Sequence, residues 1–465
     1  MGKDRSIYIG PRLRQLRRRL GLTQATMAAE LEISASYVAL IERNQRPLTA
    51  DLLLRLAQTY QVDIADFAGD GGAKVAGRLS GILRDPLFSD LDLGPTDQEE
   101  LASGHPGMAE VIVRLYNAYR EAQLSPAYEA EGGHTLNPLE ETRTFLSARQ
   151  NYFPVLDEQA ERLAQRVKEA RGMATYLEEA HNYRVRRLPP DIMHGAIRRL
   201  DLHRRQLSLD DTLDAAGEAF QIALQLAYAE LSDAISAALK EGQFTQETSE
   251  RLAQRALANY AAGAILMPYT AFFREAEARA YDVEALCRHF GTSFEQTAHR
   301  LTTLQKPGQA GVPFFFIRVD AAGNVLKRID GGAFPFAHHK GSCPVWSLHH
   351  CFRKPRQIQT ETLELPDGER FFSIARTVTA GGGSYKAPTA TLAAAIGCSI
   401  EHAKRLIYVA DQEDSENATA TPIGVACPLC QKATAPPPPD PPSGRSLLPD
   451  EYRRLRTPIG TSDMQ

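Results

Sequence analysis

Cys427 and Cys430, in "CPLCQK", have the spacing with which a tight turn presents two thiolates to one metal ion. Two thiolates cannot complete a site for zinc or an iron–sulfur cluster, and the chain then runs into "ATAPPPPDPP". The other cysteines are Cys287, Cys343, Cys351 and Cys398. A second set of chemistry-bearing residues is basic. The arginines of "RLRQLRRR", with Arg43 and Arg46, can neutralise phosphates. They must do so locally: 53 Lys and Arg against 57 Asp and Glu leave a net charge of −4, too little for a whole-molecule field that draws nucleic acid or membrane. The first residues lack the apolar core of a signal peptide, and no uninterrupted apolar run is long enough to span a bilayer. A cytoplasmic location, with no membrane partner, is expected. In that reducing compartment the six cysteines read as free thiols or metal ligands rather than disulfides.

A chain of 465 residues is too long for one core and predicts two to four domains. The basic N-terminal residues lie in a run of short helices over 9–68. Gly21 stops the first helix; Thr23 caps the second, which turns Met27, Ala28 and Leu31 inward; Ser34 caps the third, which buries Val38 and Ile41. Asn44 can end that helix, and Thr49 opens a fourth. Helix, tight turn and capped helix make a helix-turn-helix, whose second helix enters the major groove N-terminus first. Here the leading residues are Ala35, Ser36 and Tyr37, with Gln24 near the DNA backbone. A plain helical bundle with a solvated basic face is the competing reading. The ordered set Gln24, Ser34, Tyr37, Glu42 and Pro47 resembles the Cro/repressor (XRE) family, which implies a double-stranded DNA operator and a homodimer or higher even oligomer on palindromic half-sites.

A glycine-rich stretch, "FAGDGGAKVAGRLSG", opens a linker with connecting helices over 69–135. Two helices broken at His105–Pro106 are expected there, the second with Val111, Ile112, Leu115 and Tyr119 on one face, as a dimerisation or a core element. A mainly α domain follows over 136–280. "GEAFQIALQLAYAEL" and "ANYAAGAILMPYTAFF" resemble, in this order, a zinc-peptidase-like family fused to XRE modules. That family's first helix carries His-Glu-x-x-His, two zinc ligands and a general base. The matching positions are Leu224, Gln225 and Tyr228; leucine cannot bind zinc, and glutamine cannot take a proton from water. No glutamate between Glu250 and Glu275 offers a third ligand. The fold is expected without the peptidase chemistry.

The texture then changes to strands, an α+β domain over 281–435. "VPFFFIRVD" predicts a buried strand, "VLKRID" its partner after the turn "AAGN", and "RQIQTETLELPDGERFFSIARTVTA" two strands around the turn at 366–368. "IEHAKRLIYVA" predicts a late helix, and 436–465 a disordered, proline-rich tail. "GTSFEQTAHRLTTLQKPG", "GVPFFFIRVDAAGN", "CPVWSLHHCF", "LPDGERFFSIARTV" and "GCSIEHAKRLIY", with the terminal Cys-x-x-Cys, resemble the short-chain fatty acyl transcriptional regulators over nearly the whole chain. The resemblance implies a regulator of propionate, acetate or glyoxylate metabolism, without enzymatic activity, that senses a short-chain acyl-CoA. Phosphates of such a ligand need basic residues near an apolar slot; Arg300, Lys306, Arg318 and Arg376 lie in the matched motifs among aromatic residues.

The same resemblance implies a cysteine-held 4Fe–4S cluster. Cys427 and Cys430 match its Cys-x-x-Cys and Cys343 its distant ligand, but the remaining position falls at Ala435. Cys351 or Cys398 can substitute; His349 or His350 with three cysteines would make a zinc site instead; without metal the thiols are free. Three functions compete: an acyl-CoA-tuned regulator, a redox- or iron-responsive regulator without an acyl ligand, and an XRE-fused metallopeptidase, against which Leu224 and Tyr228 argue.

Overall fold

The computed structural model describes residues 137–331, 334–336, 342–365, 368–382, 389–409 and 420–424, with scattered positions between 13 and 119. The chain divides into two compact units, Met1–Gln123 and Leu124–Gln465.

In the first unit the helices start at the expected caps. Helix α1 (Gln24–Glu30) begins after Thr23, whose hydroxyl accepts from the Thr26 amide. Helix α2 (Ala35–Glu42) begins after Ser34, whose hydroxyl accepts from the Tyr37 amide. Between them they bury Met27, Ala28, Leu31, Val38 and Ile41 with Leu13, Leu52 and Leu56. Asn44 and Thr49 lie outside the described residues. Helix α3 (Pro95–Gly104) ends just before the expected break. The described positions from 108 to 119 are helical again. That helix has two faces: Ala109, Ile112, Val113 and Tyr116 pack on Leu79 and Ile82, while Val111, Leu115 and Tyr119 are exposed. Ile112 therefore sits on the core face, apart from the other three.

The second unit opens with α4 (Pro138–Ser147), α5 (Pro154–Glu169) and α6 (Met173–His181). A small sheet follows that the sequence reading did not anticipate. Its strands are β1 (Arg184–Leu188), then, past the short helix α7 (Pro190–Met193), β2 (Arg198–Asp201) and β3 (Gln206–Asp210), in the order β1–β3–β2. β1 runs parallel to β3 and β2 antiparallel to it. β1 and β2 are arginine-rich and half-exposed, so no apolar alternation announces them, and the buried β3 offers only Leu207 and Leu209. Helices α8 (Ala215–Glu230), α9 (Ser232–Lys240) and α10 (Glu247–Leu266) complete this layer. Ala223 and Ala227 of α8 share a core with Ala258, Ala261 and Ala262 of α10, small side chains that allow close approach.

Helices α11 (Tyr269–Ala278), α12 (Val283–Phe290) and α13 (Phe294–Leu301) lead into the strand-rich half. α12 ends at Gly291 in the left-handed conformation, and α13 starts in a capping box of Ser293 and Gln296. The hairpin β4 (Gln305–Lys306) and β5 (Gln309–Ala310) precedes a six-stranded sheet. Its strands are β6 (Phe315–Val319), β7 (Val325–Ile329), β8 (Gln359–Glu364), β9 (Arg370–Gly381), β10 (Thr389–Ser399) and β11 (Thr421–Pro422). They are ordered β11–β8–β9–β10–β6–β7, antiparallel except that β11 runs parallel to β8. One face buries Phe316, Ile374, Ile396 and Cys398 against α11, α12 and α13; the other buries Phe315, Ile317, Phe371 and Ala395 under Trp346 and the 3-10 helix Ser347–Arg353.

β6, β7, β8 and β9 lie where the sequence places them, but β10, which joins the two pairs, was not foreseen. Its "TATLAAAIGCS" is alanine-rich and carries no period. Gly397 is needed there, because a Cβ would sit 2.4 Å from the Phe315 ring. The expected late α-helix is two 3-10 turns, Ile400–Arg405 and Ile407–Val409, split by an extended Leu406 and tied back by Ile407 N–H donating to the Ala280 carbonyl. The tail 436–465 lies outside the described residues. Among the described residues no single helix is long and apolar enough to cross a membrane.

Candidate functional site

In the first unit, Ala35 and Ser36 are exposed at the leading turn of α2, and Tyr37 is half-buried against the core. The Ser34 and Ser36 hydroxyls are 3.0 Å apart, which fixes that turn. Arg43 and Arg46 are exposed. Gln24 is half-buried, and its side-chain N–H donates to Glu42 Oε2 at 2.7 Å. Glu42 is only 3% exposed and also receives Arg17 Nε at 2.6 Å, while Arg14 donates to its backbone carbonyl. Burial pushes the Glu42 carboxyl up, but the hydrogen bonds from Arg17 and Gln24 outweigh it and hold it below the ordinary range. Arg14 and Arg17, taken from the sequence as phosphate contacts, both bond to Glu42 at the end of α2, Arg17 largely buried and Arg14 with its side chain 43% exposed.

The three degenerate peptidase positions lie together on α8. Phe220, Leu224 and Tyr228 form a half-exposed stripe, and Gln225 beside it is 3% exposed. From β2, Arg198 reaches over this stripe. Its Nη2 donates to Gln225 Oε1, and its guanidinium lies 5.6 Å from the Tyr228 ring centroid. Arg198 Nε is buried and, among the described residues, has no acceptor. Burial pushes the guanidinium below its ordinary value, with no carboxylate among the described residues to oppose the effect. Sequence reasoning missed Arg198, because nothing in a lone arginine of an unforeseen strand points to α8.

The four basic residues proposed for an acyl-CoA fall into two pairs, Arg300 and Lys306 over the Tyr269 ring and Arg318 and Arg376 on either side of Ala394 of β10, and three of the four are committed within the chain. Arg300 is 3% exposed and forms a buried ion pair with Asp157, donates from Nε to the Met267 carbonyl at 2.9 Å, and faces the Tyr260 and Tyr269 rings. Tyr260 also donates to Asp157, so the pair ties α5 and α10 to α13. Arg318 donates from Nη1 to both oxygens of Glu295, at 2.7 and 2.9 Å. Arg376 donates to Glu284 at 2.6 Å and lies over Phe294. Lys306 sits over Tyr269, 5.8 Å from the ring centroid, and has no ion pair among the described residues. A further basic residue, Lys327, lies beside Arg318 and within 3.4 Å of His299 Nδ1; burial pushes its ammonium down to about 8.

The sheet sorts the cysteines. Cys343 and Cys351 are buried in one core, with Trp346 and Phe315. Cys398 is buried on the opposite face, where burial pushes its thiol up to about 12. Alternation along β10 makes the separation, so Cys398 is not available to a site shared with Cys343 and Cys351. Burial pushes the Cys351 thiol up to about 11. The His349 ring Nε2 is 2.7 Å from the Ser342 hydroxyl. Cys427, Cys430 and Ala435 lie outside the described residues, but Ile423, four positions before Cys427, is buried in the core that holds Cys343 and Cys351. Cys287 is half-buried and donates to the Thr297 hydroxyl.

Residues 13–67 match a family described as helix-turn-helix, 178–302 the IrrE N-terminal-like domain, and 303–459 the short-chain fatty acyl coenzyme A regulator, C-terminal. The chain is 38% identical to the HTH-type transcriptional regulator RamB of Mycobacterium tuberculosis, over 97% of this chain and 98% of that protein. It is 35% identical to a propionyl-CoA carboxylase regulator of Cereibacter sphaeroides, over 98% and 99% of the two chains. It is 33% identical to the HTH-type transcriptional regulator PrpR of Mycobacterium tuberculosis, over 92% and 90%. A solved Mycobacterium tuberculosis transcriptional regulator superposes with a TM-score of 0.64 at 35% identity, covering 70% of this chain and 99% of the other. With a capped helix-turn-helix, a peptidase-like layer whose metal positions are Leu224 and Tyr228, and a C-terminal sheet, all matched end to end, the chain belongs to the helix-turn-helix transcriptional regulators that carry a short-chain fatty acyl coenzyme A regulator domain.

Proposed function

We propose that this chain is a cytoplasmic, sequence-specific DNA-binding regulator of short-chain fatty acid metabolism, binding its operator as a homodimer or higher even oligomer and sensing a short-chain acyl-CoA through its second unit. The observation that carries the reading is the match over nearly the full length of both chains to a propionyl-CoA carboxylase regulator and to RamB. Leu224, Gln225 and Tyr228 support a regulator without peptidase activity, since they replace both histidine ligands and the glutamate base of the zinc motif. In the DNA-binding module, α2 would enter the major groove with Ala35, Ser36 and Tyr37 leading, while Arg43 and Arg46 contact phosphates. The test is operator binding by the full chain with and without propionyl-CoA. Operator affinity should change with propionyl-CoA and should drop on Tyr37→Ala without loss of folding. Identical affinity for operator and unrelated DNA would sink the regulator, and indifference to every short acyl-CoA would remove the sensing.

The same reading includes a cysteine-held iron–sulfur cluster. Cys343 and Cys351 share a core with Ile423, and the four residues from there to Cys427 can reach up to about 14 Å when extended. Cys343, Cys351, Cys427 and Cys430 would supply the four thiolates such a cluster needs, in place of the position at Ala435. A mixed zinc site would have to draw a nitrogen ligand from His349 or His350. Anaerobic purification with iron, sulfide and zinc quantified decides between them. About four irons per chain, lost in Cys427→Ser, are expected; zinc without sulfide, or full iron in that variant, would reject the cluster.

A further inference from the structure

Among the described residues nothing balances the cation at the degenerate peptidase positions. Among the described residues Arg198 contacts no carboxylate, its only side-chain hydrogen bond is to the Gln225 amide oxygen, and its buried Nε–H has no acceptor. A half-buried guanidinium normally recovers its lost hydration from a carboxylate or phosphate, as the other deeply placed arginines of this unit do with Asp157, Glu295 and Glu284. Gln225 and Tyr228 hold the group in place from two sides, one by a hydrogen bond and one by a ring. Such a fork is oriented before any ligand arrives. Beside it, Phe220 and Leu224 offer an apolar, half-exposed surface on the same stripe of α8.

We propose that this remodelled face of α8 is an oxyanion-binding site, in which Arg198 receives a phosphate or carboxylate of a ligand whose apolar part lies on Phe220 and Leu224. A fixed guanidinium stands on the helix face where a metallopeptidase of this fold would hold a metal ion, so the face keeps a positive centre while losing the means to activate water. The choice of probes rests on the acyl-CoA reading above; the site itself does not.

Two probes separate the two sources of the oxyanion: coenzyme A, which carries phosphates, and sodium propionate, which carries only a carboxylate. Each is titrated calorimetrically into the full-length protein and its Arg198→Leu and Arg198→Lys variants, with thermal unfolding measured alongside so that binding is compared between folded proteins. The wild type should bind one of the probes. Arg198→Leu should weaken that binding about 10-fold or more, the loss expected for a charge-assisted hydrogen bond, and Arg198→Lys should recover part of it. Arg198-dependent binding of propionate without coenzyme A would uphold the site and count against the acyl-CoA reading. Coenzyme A bound equally by wild type and Arg198→Leu would overturn the site and leave that reading standing. Binding of neither probe by the folded wild type would overturn the site.

Discussion

Arg300 and Arg198 lie in the same unit and meet opposite fates. Arg300 is almost fully buried, paired with Asp157, and supported by the Met267 carbonyl and two tyrosine rings. Arg198 is less buried and, among the described residues, its guanidinium lacks a carboxylate, an acceptor for Nε, or a second hydrogen-bond partner. Burial acts on both, but at Arg300 the neighbouring Asp157 and Tyr260 outweigh it and raise the guanidinium, whereas at Arg198 burial prevails. A buried cation answered by the chain is part of the framework. One left unanswered is open to something from outside.

That contrast is open to direct tests. The largest effect is expected at the framework pair. Asp157→Ala strands a buried guanidinium and should cost about 3–5 kcal/mol of stability in denaturant unfolding. Replacing both partners, Asp157→Leu with Arg300→Met, should recover much of the loss; a single-mutant cost below about 1 kcal/mol would show that the pair is not the joint it looks like.

An intermediate effect is expected at Lys327, whose ammonium is pushed down to about 8. Its unfolded value is about 10.4, so below pH 8 both states are protonated and the folded state bears the full penalty of the buried charge. As pH rises the folded lysine releases its proton first, and the penalty fades between about 8 and about 10.4. Lys327→Met should therefore stabilise the protein at neutral pH, by on the order of 1–3 kcal/mol, with the advantage shrinking across that window. A pH-independent difference would show that only packing had changed.

The smallest effect is expected at Arg198. Without ligand, Arg198→Leu should leave stability within about 1 kcal/mol of wild type, because no ion pair is broken. A loss as large as that of Asp157→Ala would place Arg198 in the framework and erase the distinction.

The same contrast explains what was legible in the sequence. The caps Thr23 and Ser34, and the core positions of α1 and α2, were readable because local rules set them. Strands β6 to β9 were readable from the apolar run at Phe314–Ile317 and the turn at 366–368. β10 was not, since alanine and glycine there answer to the Phe315 ring across the sheet rather than to any period. For the sites, the loss of the zinc positions was plain from Leu224 and Tyr228, but the charge that arrived in their place comes from β2, more than twenty residues upstream. Likewise the sequence offered Arg300, Arg318 and Arg376 as ligand contacts because their carboxylates, Asp157, Glu295 and Glu284, are distant in the chain or on another element. Cys398 stood beside the other cysteines on paper; only the alternation of β10 puts it on the far side.

Strand β11 joins the sheet through only two residues, Thr421 and Pro422, alongside Leu363 and Glu364 of β8. It is nonetheless what covers that end of β8, and Ile423 closes it with a bond to the Glu364 carbonyl and a place in the core. So short a parallel contact has little cohesion of its own. The segment that leads to Cys427 and Cys430 thus also guards an exposed strand edge. Detaching it would uncover a template for pairing with other chains, so damage near the C-terminus should first appear as lost solubility.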